Sequence, residues 1–173
     1  MKSPVIIRPP VLGDEPAFLD AARASRVLHG RWVSAPASRG EFRAYLERMS
    51  QSGHHAFVVC RRDTGALAGV VNLSNVVLGF FRSGYVGYYA FAGQERQGLM
   101  RAGLGAVVRH AFNTLKLHRL EANIQPENVA SLALAASCGF SKEGYSPRYL
   151  KINGRWRDHE RWAILADDAR RAR

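Results

Sequence analysis

Three neighbouring stretches decide the fold: Gly84-Tyr85-Val86-Gly87-Tyr88-Tyr89-Ala90-Phe91, the run that opens Gln97-Gly98-Leu99-Met100 and reaches Leu115, and Arg119-Leu120-Glu121-Ala122-Asn123-Ile124-Gln125. The first is aromatic and β-prone. In the second the period becomes helical: Leu104, Val108, Ala111 and Leu115 share one stripe, with Arg101, Arg109, Asn113 and Lys116 on the other side. The third alternates, Leu120, Ala122 and Ile124 on one face and Glu121, Asn123 and Gln125 on the other. Strand, helix and strand in that order make a right-handed crossover, so the two strands are parallel.

Outward from this unit, the other signals are antiparallel. Val5 to Arg8 reads as a short strand. Asp14 caps a helix to Leu28 with Pro16 in its first turn, and Ser38-Arg39-Gly40-Glu41 opens a second helix to Met49. His55–Arg62 and Ala66–Leu73 form a hairpin across Asp63-Thr64-Gly65. Asn128 caps a helix that Gly139 stops, and Asn153-Gly154 joins strands Tyr145–Ile152 and Trp156–Leu165. The expected fold is α+β: a mixed, mostly antiparallel central sheet with one parallel βαβ pair and helices on both faces. Residues 1–173 form one domain, ending in a basic tail over 166–173.

Composition narrows the class. A 47% apolar fraction with 23% charged residues excludes a disordered acidic chain. Lys+Arg 25 against Asp+Glu 14 gives +11, which suits an anionic partner. Since 21 of the cations are arginine and 4 are lysine, a GC-rich genome alone would produce the same bias. The longest charge-free stretch, Ala66–Phe81, is broken by polar residues and is too short to span a bilayer. Met1–Pro10 lacks a signal-peptide core, and Cys60 and Cys138 have no metal spacing. These features point to a cytoplasmic, reduced protein without membrane association or bound metal.

Phosphate-loop, Gly-x-Ser-x-Gly and His-Glu-x-x-His patterns are missing. What remains is the turn Gly93 to Met100. A helix start offers unpaired N–H groups and partial positive charge, so Gly98 there makes either an anion site flanked by Arg96 and Arg101 or a plain strand-to-helix turn. The polar face with Glu121 marks either a cleft or a solvated edge strand. Asn128 and Ser131 are good capping residues whose function depends on a nearby ligand. Phe80, Phe81, Tyr85, Tyr88, Tyr89 and Phe91 read as core and cleft wall rather than an RNA platform.

At these residues the chain resembles the GNAT-superfamily N-acetyltransferases. Gln97-Gly98-Leu99-Met100, His118-Arg119-Leu120-Glu121-Ala122, Glu127-Asn128 with Ser131, and Cys138-Gly139-Phe140 carry the likeness. Asn72 to Gly79, Lys142-Glu143-Gly144-Tyr145 and Asn153 to His159 narrow it to the RimJ/RimL-like ribosomal-protein-alanine branch, over about residues 6–165. The resemblance implies acetyl-CoA as co-substrate. Its pyrophosphate would sit on Gln97, Gly98, Leu99, Met100, Arg101 and Ala102, with Arg96 and Asn128 beside it, and its pantetheine along Tyr89, Ala90 and Phe91. It also implies direct transfer to an amine, with Glu121 taking the proton through water and Ser131 protonating the thiolate. Three positions depart from the pattern: Glu95 where Gln or Arg is usual, Met100 at the loop's last position, and Ala135 where many relatives carry a tyrosine acid.

The acceptor groove is expected at Leu28, His29 and Trp32 and along Asn72 to Phe81, with Trp32, Asn72, Asn75 and Tyr88 as substrate contacts. The resemblance implies a protein N-terminal α-amine as the acceptor, a small-molecule amine being the alternative. A catalytically weak CoA-binding module is the competing non-enzyme. The net charge would also favour nonspecific association with ribosomal RNA, and the assembly is a monomer or homodimer.

Overall fold

The structure, a computed structural model, describes residues 2–171. Its strands are β1 (Val5–Arg8), β2 (His55–Arg61), β3 (Leu67–Val77), β4 (Ser83–Ala90), β5 (Arg119–Ile124), β6 (Ser141–Ile152) and β7 (Arg155–Leu165). The helices are α1 (Glu15–Ala24), α2 (Arg26–His29), α3 (Arg39–Ser50), α4 (Leu99–Asn113), α5 (Val129–Ser137) and α6 (Ala166–Arg171). All seven strands form one sheet in the order β1-β2-β3-β4-β5-β7-β6. Only β4 and β5 pair in parallel. The mixed sheet with its single parallel pair is the architecture expected from the three opening stretches.

That parallel pairing is short. It runs through Ser83↔Arg119, Gly84↔Leu120 and Tyr85↔Glu121 and then stops, although β4 continues to Ala90 and β5 to Ile124. Beyond Tyr85 the two strands are no longer paired, and they part.

Each face carries its own core. On one, Leu104, Val107, Val108 and Ala111 of α4 pack with Val71, Leu73, Leu120 and Ala122. A Cβ on Gly103 would lie 2.6 Å from Cγ2 of Val59, so glycine sets how closely α4 lies on β2. On the other face Phe18 of α1 and Phe42 and Tyr45 of α3 cover Val58, Val70 and Phe91. Phe18 and Phe91 meet edge to face with centroids 5.4 Å apart. Fully burying one such ring contributes about 1.5–3 kcal/mol, so α1 and α3 are held by packing rather than by their short length.

Local signals hold with adjustments. Ser38 Oγ accepts from Glu41 N–H, but the Glu41 carboxylate reaches Ala37 N–H, one residue before the cap. Asp14 does not cap α1 with its side chain. Its carboxylate takes the Arg8 guanidinium in two charge-assisted bonds, of 2.7 and 2.6 Å, and also accepts Val11 N–H at 2.8 Å. That pairing holds the Asp14 carboxyl below its ordinary range, Arg8 being the largest cause.

The expected first helix breaks at Ser25. There Oγ donates to Ala21 C=O and accepts Ala92 N–H, tying the α1–α2 junction to the segment after β4. Asn153 and Gly154 both have positive φ, 49° and 77°, and close the β6–β7 hairpin in two residues, as that dipeptide requires. Residues 166–171 of the expected basic tail form α6; the Arg170 and Arg171 side chains and residues 172–173 lie outside the described residues.

Candidate active site

The splay between β4 and β5 forms a cleft of about 260 Å³. Its floor is the strand edge Val86 to Tyr89. Asn123, Ile124 and Gln125 continue β5 along one side, and Asn128 and Ser131 come from the start of α5. Trp32, Val33 and Asn72 wall one flank, and Leu150, Ile152 and His159 of the β6–β7 hairpin wall another.

Backbone direction explains the strand edge. Phe91 N–H bonds Ala68 C=O at 2.9 Å, pointing into β3. Alternation along β4 therefore turns the N–H groups of Ala90 and Tyr88 toward the gap, where β5 no longer pairs. The Ala90 carbonyl, facing the same way, accepts from His29 Nε2 at 2.8 Å. His29 thus fixes the end of β4; it is outside the lining of this cleft and borders a smaller groove that shares Val33 with it.

The start of α4 is open. Gly98, at φ 73°, is the N-cap and supplies no side chain to the first turn. A Cβ there would meet nothing within 4 Å. Gly93 and Arg96 also have positive φ, 80° and 59°, so the loop curls its amides inward. Leu99 and Met100 are buried in the core and offer only main chain to this loop. The helix start therefore fits an anion, with Arg96 and Arg101 exposed beside it. Arg61 was not among the expected residues. It donates to Gln97 Oε1 at 2.6 Å while forking onto Asp63, whose carboxyl it holds at about 2. Nothing local in the sequence marks it, because β2 reaches the loop only in three dimensions.

Tyr88 and Ser131 form a closed hydroxyl pair. Tyr88 O–H donates to the Ser131 carbonyl at 2.9 Å, and Ser131 Oγ donates to the Tyr88 oxygen at 3.1 Å. Burial raises the phenol to about 12, with the Ser131 bond opposing, so it is protonated at neutral pH. Asn128 Oδ1 caps Ser131 N–H at 3.2 Å. Ala135 is fully buried in the α4 core, and the phenol beside Ser131 comes from β4 instead.

Other expected residues lie apart from the cleft. The Glu121 carboxylate accepts from Arg119 Nε at 2.8 Å, and the same guanidinium binds Glu143; β5 is an inner strand, so the solvated-edge alternative fails. Asn123 and Gln125, on the same face as Glu121, line the cleft, whereas Glu121 sits at the last paired rung. Asn75, at φ 50°, is exposed in the irregular segment between Ser74 and Val77. Leu28 is partly exposed and outside the lining. Phe80 and Phe81 are neither core nor cleft wall: they are exposed on the turn between β3 and β4, which projects past the sheet after Gly79.

A family profile described as an acetyltransferase (GNAT) domain matches residues 5–141. The chain belongs to the GNAT acetyltransferases. Among relatives of this GNAT chain, "Probable N-acetyltransferase YjcK" of Bacillus subtilis is 32% identical over 79% of this chain and 76% of its own length. The ribosomal protein uS5-alanine N-acetyltransferase of Escherichia coli is 42% identical over 61% of this chain, a span that covers 55% of that protein. A spermidine N(1)-acetyltransferase of Vibrio cholerae is 32% identical over 41% of this chain. Mycobacterium smegmatis RimJ, solved in complex with CoA-disulfide, superposes with a TM-score of 0.88 at 28% identity, covering 96% of this chain and 87% of that one. The chain is therefore an N-acetyltransferase of GNAT type within the RimJ/RimL-like branch. No helix among the described residues is long and apolar enough to cross a membrane.

Proposed function

We propose that this GNAT enzyme transfers the acetyl group of acetyl-CoA to the N-terminal α-amine of a protein, of the ribosomal-protein-alanine type. The observation that carries the acceptor class is the cleft lining. Its polar groups are amides, hydroxyls, one indole and one imidazole, and none of the fifteen lining residues is a carboxylate. A polyamine brings several positive charges that need carboxylate partners, whereas a peptide N-terminus brings one amine and neutral amides. Trp32, Asn72 and the hairpin residues Leu150 and Ile152 would take the first acceptor residues.

In this reading the first-turn amides of α4 and Arg96 and Arg101 hold the diphosphate. The pantetheine arm follows Tyr89 to Phe91 in the splay. The free N–H of Ala90 or Tyr88 polarises the thioester carbonyl and stabilises the oxyanion. The amine attacks directly, and the Ser131–Tyr88 hydroxyl pair gives the leaving sulfur its proton. Burial raises both the Cys60 and Cys138 thiols, which disfavours a thiolate nucleophile and a covalent route.

Amine chemistry supports the same acceptor. Holding an α-amine of pKa ~7.7–8.0 neutral at pH 7 costs about 1–1.4 kcal/mol, against roughly 4.6 kcal/mol for a lysine. The likeness to a spermidine acetyltransferase favours a small-amine enzyme as the second reading. Thiol release from acetyl-CoA decides between them. Peptides beginning with Ala, Ser or Met should give kcat/KM at least about tenfold above spermidine. The reverse order would transfer the function to small amines, and no turnover with either would leave a binding module.

A further inference from the structure

His159 stands in the acceptor half of the cleft. It is 3% exposed. The pairing Asn123↔Arg161 and the alternation along β7 place it on the sheet face of Asn123 and Gln125. Its Nδ1 lies 2.9 Å from the Arg157 carbonyl. A carbonyl oxygen only accepts, so Nδ1 carries the hydrogen, and in the neutral form of the ring the lone pair is at Nε2. No hydrogen bond within the described residues engages Nε2. Asn123 Oδ1, in the same lining, is buried without a partner. Two unengaged acceptors at one end of a cleft suit a ligand that brings N–H groups.

We propose that His159 is the general base of the transfer, with Asn123 Oδ1 orienting the amine. This rests on the acetyltransferase reading of the cleft. As the neutral amine attacks the thioester carbon, the C–N bond forms and the C–S bond breaks, its electron pair leaving on sulfur. The proton lost by nitrogen passes to Nε2. Sulfur takes a proton from the Ser131–Tyr88 pair; the imidazolium then releases its proton to solvent and the hydroxyl pair takes one back from solvent, so amine and thioester become amide and thiol with no net proton and the enzyme is restored. The Arg157 carbonyl keeps Nδ1–H in place throughout, as the orienting partner of a catalytic histidine does. Glu121 is the less suitable base, since Arg119 already holds it.

Charged and aromatic groups flank His159. Arg157 and Arg161 share its face of β7, and Asp158 and Glu160 flank it on the other. From β6 the Tyr149 ring lies 6.0 Å away between centroids. Across β5 it faces the neutral Asn123 and Gln125, and the segment after α2 adds the neutral Trp32 and Val33.

The test compares His159→Asn, which keeps a donor for the Arg157 carbonyl, with His159→Gln and Glu121→Gln. Both His159 variants should lose roughly 10²–10⁴ in kcat toward the preferred peptide, keep the acetyl-CoA Kd within about threefold, and reduce the acidic limb of the kcat/KM profile to the single proton of the acceptor amine. Glu121→Gln should stay within about threefold of wild type. If one His159 variant does not fold, the other decides. Wild-type-like kcat with the acidic limb intact in a folded His159 variant overturns the proposal, as does a 10²-fold loss confined to Glu121→Gln. Nitrogen NMR of the resting enzyme reads the tautomer without turnover: Nδ1–H is expected, and Nε2–H overturns it. A wild type with bound acetyl-CoA but no turnover on any amine removes the functional reading, and the base with it.

Discussion

The two sides of the proposed reaction, donor and acceptor, are built from different parts of the chain. In the proposed reading the donor side is main chain: the first-turn amides of α4 beyond Gly98, which stand outside the cleft lining, and the edge of β4 at Tyr88 and Ala90. In that reading the acceptor side is side chain: Trp32, Asn72, Asn123, Gln125 and His159, drawn from four separated segments. A main-chain wall binds the invariant part of a reaction, because amides survive substitution wherever the backbone path does. A side-chain wall sets the choice of amine, and every change in it is felt. Donor-wall substitutions should therefore act on acetyl-CoA affinity through backbone shape, and acceptor-wall substitutions on turnover and peptide KM.

The His159 variants are the largest expected break in the acceptor wall. On the donor side, Gly98→Val forces a β-branched residue into φ 73° and crowds the open approach. Losing one or two charge-assisted bonds of ~1.5–3 kcal/mol each should weaken acetyl-CoA at least about tenfold by calorimetry. Strain should lower stability by only about 1–2 kcal/mol. Unchanged affinity in a folded Gly98→Val chain would remove the diphosphate from this helix start.

Smaller effects sharpen the contrast. Trp32→Ala should raise peptide KM by roughly tenfold or more, as loss of an aromatic contact worth ~2 kcal/mol does, while acetyl-CoA Kd stays put. A shifted Kd with unchanged KM would place Trp32 on the donor side. Ser131→Ala should lower kcat by about tenfold without changing unfolding midpoints, since its capping bond is made by the backbone N–H. Asn128→Ala should do the opposite, costing about 1 kcal/mol of stability with little change in kcat.

A final, smaller prediction lies outside both walls. Asp14 is depressed below its unfolded value by Arg8. Its contribution to stability is therefore complete above the unfolded pKa of ~3.9 and lost as pH falls through the folded one. Denaturant midpoints of wild type and Asp14→Asn should differ at pH 7 and converge below about pH 4.

How much was legible follows the same division. The crossover unit, the Asn128 cap and the Asn153-Gly154 turn were readable because each is fixed within a few residues by periodicity, capping or left-handed backbone. Glu121 was read correctly as lying on the polar face of β5, but alternation cannot say which polar residue reaches the cleft. That depends on where β4 and β5 part, after Tyr85 and Glu121, which brings Asn123 to the opening instead. Phe80 and Phe81 misled because aromatic rings signal burial only where a second layer covers them.

Residues 84–125 by themselves determined the parallel pair and the helix start that faces its gap, since hydrogen-bond geometry and chain connectivity leave a strand–helix–strand unit one arrangement. The place of His159 was decided only by the tertiary structure. The last strand inserts between β5 and β6, and that order is chosen by packing across the whole sheet. A histidine near the end of the chain thereby arrives beside Asn123, with one ring nitrogen anchored and the other facing the cleft.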